Sequence, residues 1–253
     1  MKKAILYLLV FVGIQLLSGA VVQAAYILLK GPGTPVDTIG LIITTALMDV
    51  VTLLLFLLLR WAEVSRHWVR TRPWMVLFWC CMAAFGAIIP SSYIQELLPE
   101  LPNFADTEFD MLMSSRLGYF VIALGAPLVE ELVFRGAILR ALLQWKSNPW
   151  VGIFISAVMF AVVHMNPAQM PHALLVGILL GWMYYRTDSI VPGVVYHWVN
   201  NTVAYVLYQF YPNQDLELID LFKGNQNSVL MAVAFSLCIF VPALLQLNLR
   251  MKK

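Results

Sequence analysis

Long apolar runs interrupted by short polar connections set the pattern of the chain. They fall at about Ala4–Leu29, Val36–Leu59, Pro73–Ile89, Leu117–Leu143, Trp150–Met165, His172–Tyr185, Val191–Phe210 and Ser228–Leu247. A helix of roughly 20 apolar residues crosses the hydrocarbon core of a bilayer. None of the runs alternates apolar and polar positions, and backbone groups in lipid must be bonded within their own segment, so helices are predicted throughout. The expected fold is all-α: a polytopic membrane protein of about eight transmembrane helices around an intramembrane polar cavity.

Composition strengthens this picture. Of 253 residues 61% are hydrophobic and only 12% charged, against roughly 45–50% and 25% in soluble domains. A large water-soluble globule is excluded. The formal net charge of +2 gives no nucleic-acid footprint. Cys80, Cys81 and Cys238 all sit inside apolar runs and read as packing residues, not as a disulfide framework.

The cations are unevenly placed. Lys2, Lys3, Arg60, Arg66, Arg70, Arg72, Arg140, Lys146, Arg186, Arg250, Lys252 and Lys253 fall on one set of connections. The other set holds Asp37, Glu96, Glu100, Asp106, Glu108, Asp110, Asp215, Glu217 and Asp220, with Lys30, Arg116 and Lys223. The bias toward cytoplasmic Lys and Arg places both termini in the cytoplasm and requires an even number of crossings. Residues 1–25 also have the basic start and small-residue ending of a signal peptide. Their apolar run exceeds the secretory core of about 7–15 residues, so the segment is expected to remain as a span. The acidic stretch Tyr93–Ser115 reads as a solvated outer loop. Three sections follow: residues 1–116 with three spans and the acidic loop, a core at 117–210, and residues 211–253 with a last span.

Ionisable residues at membrane depth are the informative ones, since each is costly unless it faces protein or water. Glu130 and Glu131 are adjacent in the run Leu117–Leu143, with Arg135 four residues beyond Glu131 on the same helix face. Glu130 points about 100° away and has no partner nearby in sequence. Pro127 is expected to kink this helix. Phe160 and His164 share a face in the next run, which should end near Met165, two residues before Pro167. His197 and Asn201 are four apart in the run Val191–Phe210. Asp49 reads as an interhelical hydrogen-bond partner, and His67 and His172 as interfacial residues without a chemical role.

A carboxylate, two imidazoles and an amide suffice to add water to a peptide carbonyl. Glu130 would take a proton from water, His164 would orient that water or protonate the leaving amine, and His197 with Asn201 would donate to the oxyanion. A second chemistry places zinc on His164, His197 and Glu130. No HExxH spacing supports it, so the metal-free reading is preferred, with no cofactor and zinc as the alternative.

These motifs resemble the CPBP family of intramembrane proteases, which includes type II CAAX prenyl endopeptidases and Abi proteins. The family's EExxxR motif is matched by Glu130, Glu131 and Arg135, its FxxxH motif by Phe160 and His164, and its HxxxN motif by His197 and Asn201. The resemblance spans roughly residues 117–208. It implies an intramembrane endopeptidase acting on a peptide or protein substrate at the lipid bilayer. Glu130 would activate water, His164, His197 and Asn201 would complete the site, and Glu131, Arg135 and Phe160 would support it. A non-enzymatic immunity or signalling module that binds a peptide partner is the alternative, and a proton-coupled transporter using Glu130, Glu131 and Asp49 is a third reading.

One geometric tension remains. At ~1.5 Å per residue, His164 lies about 21 Å along its helix from Trp150, whereas His197 lies about 9 Å from Val191. The two meet if the turn Thr187–Pro192 dips into the membrane, which burial in protein or a water-filled cavity would permit; a Ser189 fully exposed to bulk water at the cytoplasmic surface would count against it.

Overall fold

A computed structural model describes residues 1–65, 68, 73–212 and 217–251. The expectations for Arg66, His67, Arg70, Arg72, Asp215, Lys252 and Lys253 lie outside the described residues. Among those described there are helices and no strand.

The first helices, α1 (Lys2–Lys30), α2 (Thr38–Leu58) and α3 (Trp74–Glu96), are followed by the short α4 (Asp106–Met113). Next comes α5, a continuous rod of four segments: π-helical Phe120–Gly125, α-helical Ala126–Glu131, π-helical Leu132–Leu139 and α-helical Arg140–Trp145. Then follow α6 (Pro149–Val162), α7 (Met170–Thr187), α8 (Val191–Phe210), the single-turn α9 (Leu218–Leu221) and α10 (Gln226–Arg250). Four of these, α1, α2, α3 and α10, are long and apolar enough to cross a membrane by length and composition. The other predicted runs are helical too, which is compatible with further crossings; α6 is apolar but shorter.

The long apolar helices bury only a stripe. In α1 the buried positions are Ala4, Tyr7, Phe11, Ile14, Ser18 and Val22, three or four apart, whereas Leu28 and Leu29 are 85% and 84% exposed. That is the signature of one face on protein and the rest on lipid. The stripe packs on α5, with the Phe11 and Phe134 rings edge to face at 5.6 Å.

Two apolar clusters flank the polar centre. One gathers Phe11, Phe56, Leu132, Phe134, Leu139 and Phe160 around α5. The other joins α3, α7, α8 and α10 through Cys80, Ala83, Leu180, Tyr196, Ala243 and Leu247. Gly86 permits the α3–α10 approach, because a Cβ there would stand 2.6 Å from the Phe240 backbone nitrogen. Cys80 is buried, Cys81 half-buried and Cys238 exposed, all as free thiols.

The basic ends meet at one end of the bundle. Lys3, Arg60 and Arg140 line one cleft, and Arg186 bonds the Asn248 side chain at 2.5 Å and the Met251 carbonyl at 2.6 Å. The turn after α7 joins this end: Ser189 is fully buried and its hydroxyl donates to the Val64 carbonyl at 3.4 Å. Ser189 is thus not exposed to bulk water, whereas the neighbouring Asp188 is exposed.

At the opposite end the acidic stretch is largely exposed, as expected, but partly helical. Its first residues continue α3 to Glu96, and α4 occupies Asp106–Met113. Between them the chain is fastened beneath the His164 turn. Asn166, 1% exposed, donates to the Asn103 side chain at 2.8 Å and accepts from the Phe104 backbone at 3.1 Å. Residue 166 satisfies backbone and side-chain groups that lipid could not.

Candidate functional site

The site is built on α5, α6 and α8. Proline sets its first feature. In the π-helical segment Phe120–Gly125 the Ala126 N–H bonds the Val121 carbonyl, five residues back. The next donor in that register would be residue 127, and Pro127 has no N–H. The Ile122 carbonyl is thereby released, and Asn201 Nδ2 donates to it at 3.1 Å. At Pro127, where the sequence predicts a kink, the helical register changes from π to α, and the freed acceptor tethers α8 to α5. Asn201 Oδ1 accepts from Asn200 at 3.3 Å.

Glu130 and Glu131 close the short α-helical segment between the two π-helical ones. Glu131 is fully buried and pairs with Arg135, Oε1 to Nη1, at 2.5 Å, as the four-residue spacing predicts. Arg135 also donates to the Gly177 carbonyl at 3.2 Å, and its guanidinium stacks 4.6 Å above the Phe160 ring. Three helices are clamped by this one cation. Glu130 has a partner on another helix: its Oε2 stands 3.7 Å from His197 Nε2. The other nitrogen of the same ring, Nδ1, lies 3.4 Å from Glu131 Oε1. His197 therefore sits between the two adjacent carboxylates.

His164 follows the last turn of α6, where Met165 takes a left-handed φ of 49° and ends the helix near the expected place. Its Nδ1 is 2.8 Å from the Phe160 carbonyl, which turns Nε2 outward. Phe160 is edge-on to both imidazoles, at 5.0 Å to His164 and 5.9 Å to His197. It is the common wall that sets the two rings side by side.

The structure thus brings Glu130, Glu131, Arg135, Phe160, His164 and His197 into one contact network. Asn201 is attached to it through the Ile122 carbonyl. Four further residues belong here that sequence reasoning missed or misread. Gly177 supplies the carbonyl for Arg135, and a Cβ on it would approach Ala157 at 3.0 Å. A signal was present in the pair Gly177 and Gly181, four apart, a spacing that lets helices approach closely. Gly193 leaves room for Glu131. Asp49 is not the hydrogen-bonded interhelical partner expected: it is 6% exposed and its Oδ1 has no bonding partner. Its Oδ2 lies 2.4 Å from where a Cβ on Gly125 would stand, within electrostatic range of Glu130. His172, expected to be interfacial and uninvolved, lies within electrostatic range of both His164 and His197.

His164 Nδ1 is occupied by the Phe160 carbonyl and His197 Nδ1 faces Glu131, so a zinc ion would be held by the Nε2 atoms of the two rings with Glu130. Among the described residues no three His, Cys, Asp or Glu groups converge as ligands of one ion.

Comparison with known proteins agrees with the motifs. Residues 113–203 match the family described as type II CAAX prenyl endopeptidase Rce1-like, and every motif residue falls within that match. A curated relative from Bacillus subtilis (strain 168), "Putative membrane peptidase YdiL", is 31% identical over 101 residues, covering 39% of this chain and 40% of the relative. The chain thus matches about two-fifths of that relative's length. No solved structure matches. The resemblance to the CPBP intramembrane proteases is borne out, and the apolar helices make the chain an integral membrane protein.

Proposed function

We propose that this chain is an intramembrane endopeptidase that hydrolyses a peptide bond of a membrane-associated peptide or protein with water activated by Glu130. The observation that carries the reading is the 3.7 Å approach of Glu130 Oε2 to His197 Nε2 across two helices. That separation is too long for a direct hydrogen bond, and one water lying beside the pair is within reach of both groups.

Glu130 removes a proton from this water as its oxygen bonds to the scissile carbonyl carbon, and the carbonyl π electrons move to oxygen. His197 Nε2 and the second N–H of Asn201 donate to that oxyanion; the first is committed to Ile122. When the C–N bond breaks, the nitrogen takes a proton from Glu130 or from His164, whose Nε2 is free of the Phe160 carbonyl. Glu131 and Arg135 hold the geometry. In this reading residues 117–210 form the catalytic core, with 1–116 and 211–253 packed around it. The cation-rich end, with both termini, faces the cytoplasm.

The test compares membrane peptides released in proteoliposomes by the wild-type protein and by Glu130→Gln. Loss of cleavage by about 10²–10⁴-fold at unchanged thermal stability is expected for removal of a general base. Cleavage retained by Glu130→Gln overturns the assignment of the base. A non-enzymatic module would yield no new peptide termini from either protein.

A further inference from the structure

At the cation-rich end, away from the polar site, a cleft between α1, the end of α2 and the end of α5 is lined by Lys3, Tyr7, Arg60, Trp61, Arg140 and Gln144. Its volume is ≈ 120 Å³, several times the roughly 10–15 Å³ that one water needs on the same measure. Its wall is rigid and aromatic: the Tyr7 and Trp61 rings lie 5.0 Å apart, and Trp61 meets Phe56 edge to face at 5.5 Å. Arg140 is partly neutralised by Glu63 at 3.1 Å. Lys3 and Arg60 have no carboxylate partner among the described residues, so the cleft keeps a net positive charge.

The backbone at Arg60 points the same way. Helix α2 ends in a Schellman turn, with Trp61 N–H bonded to the Phe56 carbonyl at 2.9 Å and Arg60 N–H to the Leu57 carbonyl at 3.1 Å. Such a turn needs a left-handed residue, usually glycine, where Arg60 stands at φ 56°. A charged L residue held there, at a conformational cost, marks a position whose side chain has a use. The turn is anchored beyond the arginine, since Glu63 N–H bonds the Gly136 carbonyl at 3.3 Å.

We propose that this cleft binds the phosphate group of an anionic lipid headgroup, with Lys3, Arg60 and Arg140 as its cations and the Tyr7–Trp61 pair against its glycerol. Three cations from three helices at an aromatic membrane interface match a phosphate placed at headgroup level. Occupancy bridges α1, α2 and α5, and α5 carries Glu130 and Glu131.

Native mass spectrometry of the full chain in detergent, with phosphatidylglycerol or phosphatidylcholine added, tests this directly. The wild type is expected to retain phosphatidylglycerol preferentially. Arg60→Gly, which removes a cation while relaxing the turn, should lower that retention about fivefold, the effect of one basic residue near an anionic surface. Its lipid-free melting temperature should equal or exceed that of the wild type, so misfolding is recognised separately. Lys3→Gln should lower retention similarly. Equal retention of the two lipids by the wild type, or unchanged retention by Arg60→Gly, overturns the proposal. Displacement of phosphatidylglycerol by inorganic phosphate, at an ionic strength where chloride does not displace it, assigns the cleft to a soluble phosphate and overturns the lipid assignment.

Discussion

Glu131 Oε2 lies 2.5 Å from the point where a Cβ on Gly193 would stand. The carboxylate that receives Arg135 and faces His197 thus fits only because α8 begins with a residue lacking a side chain. Gly193 follows Pro192 in the first turn of α8, where its backbone is helical and its conformational freedom unused. Its role is steric.

Gly193→Ala is accordingly expected to destabilise the protein by about 1–3 kcal/mol, the usual range for overpacking a closed core. Thermal unfolding in detergent checks it. A melting temperature equal to that of the wild type would mean that Glu131 has another place to go.

The Glu131–Arg135 pair is buried on both sides, at 0% and 1% side-chain exposure. Removing one partner strands the other charge, so Arg135→Met should cost about 3–5 kcal/mol. The double variant Glu131→Leu with Arg135→Met should cost less than Arg135→Met alone. Cleavage should remain lost in the double variant, since Glu131 also faces His197 Nδ1 at 3.4 Å. A double variant no more stable than the single one would contradict the stranded-charge account.

Much of this was legible in the sequence because it depends on local spacing. The apolar runs become helices, and Glu131 reaches Arg135 because i and i+4 share a face. Phe160 and His164 stack for the same reason. What could not be read depends on contacts between helices. Glu130 has no neighbour in sequence, and its approach to His197 follows only from how α5 and α8 cross. The π-helical register is silent in a hydrophobic pattern, and the missing N–H of Pro127 shows that a carbonyl goes unbonded, not that Asn201 will bond it. Asp49 was visible as an anomaly, but its partner is a space beside Gly125 and not a donor. Arg60 gave no signal at all, because nothing in an arginine announces a left-handed turn.

Asp49 provides a third measurement. A buried acceptor without a donor costs about 1–3 kcal/mol, and Asp49 Oδ1 is in that state. Asp49→Ala should therefore melt at a temperature equal to or above the wild type, despite the small void it leaves. A clear loss of stability would show that the carboxylate is satisfied by a group such as an ordered water.

A pH dependence is expected at the opposite end of the bundle, in the connecting turn outside the spans. Asp37 caps α2 by accepting from the Gly40 N–H at 2.9 Å. It also accepts from the Tyr26 hydroxyl at 2.5 Å and from Lys30 Nζ at 2.9 Å. The Tyr26 hydroxyl foremost, then the Gly40 N–H and Lys30, hold its carboxyl well below the usual carboxylate range. An unfolded aspartate titrates near 3.9. A folded group that ionises at lower pH contributes stability above that unfolded value and loses it as pH falls toward the folded one. Asp37→Asn can still accept from Gly40 but carries no charge for Lys30. The stability difference between wild type and Asp37→Asn should thus be constant above about pH 5 and shrink as the pH is lowered below about 4. Thermal unfolding across pH 3 to 7 in a non-ionic detergent measures that difference. A difference that stays constant to the lowest pH would mean that the turn is held by the neutral hydrogen bonds alone.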